Sequence, residues 1–203
     1  MDSKTITIDI YSDIACPWCY VGEHKFLLAK QQYLIQNPTH QIKVQWHPYM
    51  IDPNTKKSGE EYLAYNKRRW GSDGWTYSLR QAGKKVGCSF ADWKTWPNTF
   101  WAHCLINYAG GFDKADEVVD EIFDFCYEKG ENVSELEVLE KIAEKFKVDE
   151  GWKGKEVQKR VIEGDAYAKE EMDIHGVPYF VMKGKYVLEG AVDPETFIKY
   201  FAK

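Results

Sequence analysis

Tyr11 to Gly22 reads YSDIACPWCYVG, and its two cysteines, Cys16 and Cys19, are separated by a proline and a tryptophan. The stretch joins two different patterns. Before it, Thr5 to Tyr11 (TITIDIY) is short and rich in β-branched residues, which predicts a strand. After it, Tyr20, Leu27 and Leu34 recur at seven-residue spacing with Leu28 and Ile35 beside them, which predicts a helix from Cys16 to about Asn37-Pro38. Pro17 suits the first helical position, where an amide hydrogen would have no partner.

Two thiols one turn apart at the head of a helix have a defined chemistry. Unpaired first-turn amides and aligned peptide dipoles favour a thiolate there, so Cys16 is the expected nucleophile and Cys19 the resolving thiol. Cys16 would form a mixed disulfide with substrate, and Cys19 would expel the substrate thiol, leaving the pair oxidised. A CxxC is also half of a zinc site. The chain has no second CxxC and no CxxH or HxxxH spacing, so redox exchange is expected and a metal is not.

Working outward, Ile42 to His47 (IKVQWH) alternates as a second strand. From about Gly59 to Ile174 helical periodicity takes over. Trp101, Cys104, Leu105 and Tyr108 form one apolar stripe; Val118, Val119, Ile122, Phe123 and Cys126 form a second; Leu136, Leu139, Ala143 and Phe146 form a third, with Ser134 and Glu137 as a capping box. The β pattern returns at Val177. Tyr179 to Met182, a turn at Lys183-Gly184-Lys185, and Tyr186 to Leu188 predict a hairpin, and Asp193-Pro194 opens a last helix. The expected class is α/β, with residues 1–50 and 175–203 in one domain and residues 51–174 as a helical insertion.

The segment Gly176-Val177-Pro178-Tyr179-Phe180 places a proline at the start of a strand. Such a proline is either an ordinary trans strand opener or a kept cis bond. Were it beside Cys16, the Val177 backbone could pair with an extended substrate, and Trp18 would flank the same substrate.

YSDIACPWCYVG, PNTFWAHCLI and GVPYFVMKGKYVLEGA together resemble the DsbA-like thioredoxin family, specifically its FrnE-like branch. The resemblance implies a thioredoxin fold interrupted by an all-α helical insertion, a cis Pro178, and thiol–disulfide oxidoreductase activity without metal or nucleotide. It leaves glutathione open as a co-substrate. It also suggests that Asn98 of the PNTF segment faces the substrate cleft, although by residue type Asn98 reads as a helix cap ahead of Trp101. Cys104 departs from the branch, which more usually has arginine there. Kappa-class glutathione transferases and 2-hydroxychromene-2-carboxylate isomerases share the fold but carry serine where Cys16 stands. Both cysteines are kept here, which favours redox exchange.

Asp9, in the first strand, is a proton-transfer candidate for Cys19 if buried, or a solvated strand residue. Asp13 is expected simply to occupy its loop, and His103 to be a satisfied helix histidine. Cys104 and Cys126 read as small core residues, and Cys88, in a Gly-Cys-Ser turn, as exposed and reactive. Most of Trp70, Trp75, Trp93, Trp96 and Trp101 read as core, with a few lining an apolar groove.

The 203 residues carry a formal charge of -5, so no basic footprint points to nucleic acid. The first residues do not read as a secretory signal and no run is long enough to span a membrane, so a cytoplasmic protein is expected. Its partners would be proteins bearing thiols or disulfides, or glutathione. Two rival readings are a glutathione-dependent isomerase or transferase acting on an aromatic small molecule, and a peptide-binding, chaperone-like module with a vestigial redox pair.

Overall fold

The structure is a computed structural model and describes residues 4–203. It opens with β1 (Thr5–Ser12), α1 (Pro17–Gln36) and β2 (Gln41–Pro48). β1 and β2 pair in parallel, with Ile6 beside Ile42 and Ile10 beside Trp46, and α1 makes the crossover. Next come β3 (Glu60–Glu61), α2 (Tyr62–Trp70), α3 (Thr76–Lys84), β4 (Thr95–Trp96), α4 (Phe100–Ala109), α5 (Ala115–Tyr127), α6 (Leu136–Lys145) and α7 (Lys155–Glu170). The chain closes with β5 (Tyr179–Met182), β6 (Tyr186–Glu189) and α8 (Pro194–Ala202). The four-stranded sheet has the order β2-β1-β5-β6, with β5 antiparallel to both neighbours.

Alternation along β1 puts Ile6, Ile8 and Ile10 on one buried face. Phe180 and Met182 of β5 lie beside Ile10 and Ile8, and so share that face. Phe26 of α1 and Phe197 of α8 close over it, their rings 5.6 Å apart, with Phe180 stacked edge-on 4.8 Å from Phe197. This aromatic layer seats α1 on the sheet, and with it the two cysteines at the end of β1.

Two expectations of local structure are corrected. On α1 the buried residues include Tyr20, Phe26, Ala29 and Tyr33, whereas Leu28 is 36% and Ile35 73% exposed. The seven-residue stripe itself faces inward, Tyr20 buried and Leu27 and Leu34 packed partly buried against the core; it is the flanking Leu28 and Ile35 that turn to solvent. The capping box at the head of α6 does not form: the cap position is Glu135, with no side-chain cap. The Ser134 hydroxyl instead accepts the Asn98 N–H at 2.9 Å, tying α6 to the start of α4. Among the described residues no helix is long and apolar enough to cross a membrane.

Candidate active site

The site begins where β1 ends. Cys16 sits in extended backbone immediately before α1, and its N–H donates to the Asp13 carbonyl at 3.1 Å. Pro17 follows as the first helical residue, so the head of α1 carries one fewer orphan N–H. The loop between is held from two sides. The Asp13 carboxylate accepts the N–H of Ala15 at 3.3 Å, that of Ile51 at 2.8 Å and Nε2 of His103 at 3.2 Å. Tyr127 of α5 donates its hydroxyl to the Ile14 carbonyl at 2.8 Å.

The two thiols are placed unequally. Cys16 is 7% exposed and Cys19 1%. Burial holds the Cys19 thiol well above its usual pKa, and hydrogen bonding to Cys16 and the charge there push the same way. Hydrogen bonds from the Asp13 backbone and the Ser12 side chain act in the opposite sense. Cys19 is therefore kept as a neutral thiol behind Cys16. The Cys16 Sγ faces the Val177 carbonyl at 3.6 Å, so the segment before β5 forms the other wall. The Val177–Pro178 bond is cis. Gly22, on the second turn of α1, lets that wall come close: a Cβ there would lie 2.8 Å from Pro178 Cγ.

The sequence model of the DSBA-like thioredoxin domain matches residues 7–202, almost the whole chain. The chain belongs to this family. The protein YwbO of Bacillus subtilis is 25% identical over 205 residues, spanning 96% of this chain and 95% of that protein. A probable DsbA oxidoreductase from Streptomyces coelicolor superposes with a TM-score of 0.80 at 22% identity, covering 96% of this chain and 87% of its own. The cytosolic disulfide reductase DsbM of Pseudomonas aeruginosa, solved with GSH, does so with a TM-score of 0.63 at 14% identity over 97% of each chain. These likenesses establish the thioredoxin-type fold.

In this DSBA-like chain the residue between the cysteines that reaches outward is Trp18. With Trp70, Ser72 and Trp75 it lines an open cleft of about 380 Å³, and the rings of Trp70 and Trp75 meet edge to face at 5.1 Å. Of the other tryptophans of the helical region, Trp93, Trp96 and Trp152 are core, at most 7% exposed, and Trp101 is half-buried beside Trp152. A larger groove of about 800 Å³, lined by Lys30, Trp46, Asn107 and Asp116 among others, contains neither cysteine.

Of the other residues read from sequence, Asp9 and Cys88 lie differently from their candidate roles, and Asn98, Cys104 and Cys126 stand close to their structural readings. The Asp9 side chain is 37% exposed and pairs with His47 at 2.8 Å, on the strand face opposite Ile8 and Ile10. It is not the buried carboxylate of the motif, a place that belongs to Asp13, 1% exposed. Asn98 bears out the capping side of its reading, its Oδ1 accepting the N–H of Phe100, the first residue of α4, at 3.3 Å, while its side-chain amide donates to the Thr55 carbonyl at 2.8 Å. Cys88 is fully buried, not exposed, with its Sγ 3.9 Å from the Tyr20 carbonyl, and burial raises its pKa. Cys104 and Cys126 are core residues, and burial pushes the Cys104 thiol up to about 12.

Sequence reasoning missed Ser12, Gly22 and Glu128. The Glu128 carboxylate accepts the N–H groups of Ser89, Phe90 and Ala91 and the Tyr20 hydroxyl, fixing the loop beside α1. A glutamate at the end of a helix carries no local sign of that role.

Proposed function

We propose that this DSBA-like chain is a thiol–disulfide oxidoreductase with Cys16 as nucleophile and Cys19 as resolving thiol. The observation that carries the reading is the unequal placement of the two thiols, Cys16 facing Val177 at the mouth and Cys19 buried behind it. The Cys16 thiolate attacks one sulfur of a substrate disulfide; that S–S bond breaks, and the departing substrate sulfur takes up a proton. Cys19 then gives up its proton and attacks the Cys16 sulfur, releasing the second substrate thiol. The substrate has gained two electrons, and Cys16 and Cys19 have lost them to a new disulfide. Every step is reversible, so the same site oxidises a dithiol when it starts as the disulfide.

Trp18 and the Val177 backbone are the proposed substrate contacts, Trp18 through the cleft it shares with Trp70 and Trp75. Glutathione is a proposed low-molecular-weight partner and the cytoplasm the proposed setting; both are supported by the fold shared with a cytosolic reductase solved with GSH. No cofactor beyond the dithiol is required by these steps. The test is reduction of insulin and refolding of a scrambled-disulfide substrate by wild type and by Cys16→Ser. The variant is expected to lose both activities, and equal rates in the two proteins would overturn the reading.

A further inference from the structure

Glu23 lies on α1 one turn beyond Cys19, only 2% exposed, and its Oε2 has no hydrogen-bond partner. A buried carboxylate oxygen left so is costly, and proteins seldom keep one without a purpose. Burial, reinforced by the charges of Asp120 and Asp116, holds its pKa well above the ordinary carboxylate range.

The neighbouring side chain is arranged in a complementary way. His24 Nδ1 lies 3.0 Å from the Val86 carbonyl, which can only accept, so Nδ1 carries the proton and Nε2 presents a lone pair. That Nε2 is 4.0 Å from Asp120 Oδ1 of α5, too far for a hydrogen bond. An imidazole anchored through one nitrogen to a backbone carbonyl, with the other nitrogen free, is the usual support of a metal-binding histidine. One donor atom each from Glu23, His24 and Asp120 lie within 4.8 Å of one another. Around a tetrahedral zinc with bonds of ~2.0–2.2 Å, donors lie ~3.4 Å apart, so closure needs a movement of about one ångström. The Asp120 side chain is 55% exposed and free to supply it.

We propose that Glu23, His24 and Asp120 form a binding site for a divalent cation of the zinc class, joining α1 to α5. One imidazole and two carboxylates suit zinc, whereas calcium and magnesium take all-oxygen shells. The fourth position is left to water. The cation supplies the partner that the buried Glu23 Oε2 lacks among the protein groups. This departs from the expectation that the chain binds no metal, which rested on thiol and imidazole spacing within single segments. Glu23 and His24 are adjacent in sequence, and the third ligand comes from a distant helix. The site uses neither Cys16 nor Cys19 and does not rest on the proposed redox activity.

The experiment uses the full chain with Cys16→Ser and Cys19→Ser, so that the dithiol cannot bind metal. After chelator treatment it is titrated with zinc chloride by calorimetry, alongside the same chain carrying His24→Ala or Asp120→Asn. The expected result is one zinc per chain, weakened at least tenfold by each added substitution. Zinc should also raise the melting temperature of the parent but not of the Asp120→Asn chain, whose exposed substitution leaves the core intact. No zinc uptake by the parent, or uptake of equal strength in either variant, would overturn the site.

Discussion

His103 Nε2 donates to the Asp13 carboxylate across 3.2 Å, and the two side chains are 5% and 1% exposed. The same carboxylate holds the amides of Ala15 and Ile51, so one buried group joins the loop before Cys16, the segment after β2, and α4. Asp13→Ala leaves two amides and an imidazole without their acceptor. Removing one partner of a buried pair typically costs about 3–5 kcal/mol, and a loss of that size is expected in denaturant unfolding. A loss below about 1 kcal/mol, the range of exposed pairs, would show that the network does not hold the loop.

Gly22→Ala tests the other wall. Its new methyl would meet Pro178 Cγ at 2.8 Å, and Pro178 is itself buried. Overpacking of this kind costs about 1–3 kcal/mol. Because the yielding part is the Val177–Pro178 segment that faces Cys16, insulin reduction is expected to slow even where the variant remains folded. Unchanged stability and unchanged turnover together would mean that α1 and the segment before β5 are not in close contact.

The local signals in the chain were strong where one segment carries its own pattern. The β-branched run ending at Tyr11, the proline after Cys16 and the β5–β6 hairpin around Lys183-Gly184 each declare their element; the first two lead into the site, while the hairpin turn lies at the far end of β1, where the Lys183 N–H donates to the Thr7 carbonyl. What escaped reading depends on pairing between distant segments. Asp13 meets His103 90 positions away, and nothing near Asp13 announces it. Ser134 looked like a cap because its neighbours are helical, yet a distant amide claims its hydroxyl. Cys88 looked exposed for its Gly-Cys-Ser context, but Phe90, at a φ of 52°, helps fold the turn inward against Gly83. Glu128 then fixes that turn through three amides.

The proposed substrate role of the tryptophan cleft can be tested apart from thiol chemistry. Trp70 is 46% exposed on α2 and makes no hydrogen bond to either cysteine, so Trp70→Ala should leave the reaction of Cys16 with glutathione disulfide unchanged. With insulin the KM is expected to rise about fivefold, the equivalent of about 1 kcal/mol of aromatic contact. Steady-state kinetics on both substrates reads the difference. An equal loss on both would place Trp70 in the support of the fold instead of the substrate surface.

Stability should respond to alkaline pH through Lys183. Its Nζ donates to the Phe201 carbonyl at 3.1 Å, and burial, with Lys4 alongside, lowers its pKa to about 8 from the usual value of 10.5. A lowered folded pKa means that the unfolded chain binds more protons between those values, so stability rises with pH across that window and is lost as pH falls through about 8. Lys183 is only half-buried, and solvent screening keeps the effect small. Melting curves of wild type and Lys183→Met are expected to show wild type gaining on the variant between pH 8 and 10.5. A difference independent of pH would contradict the assignment.

The central claim, that Cys16 attacks and Cys19 resolves, is tested most directly by removing the second step. Cys19→Ser is incubated with a peptide disulfide, quenched with acid, and analysed by intact-mass and peptide-mapping spectrometry. The account requires a mixed disulfide that accumulates on Cys16 of Cys19→Ser, is fleeting in wild type, and is absent from the Cys16→Ser, Cys19→Ser chain. An adduct on Cys88, Cys104 or Cys126, or no adduct while wild type still turns the substrate over, would contradict it.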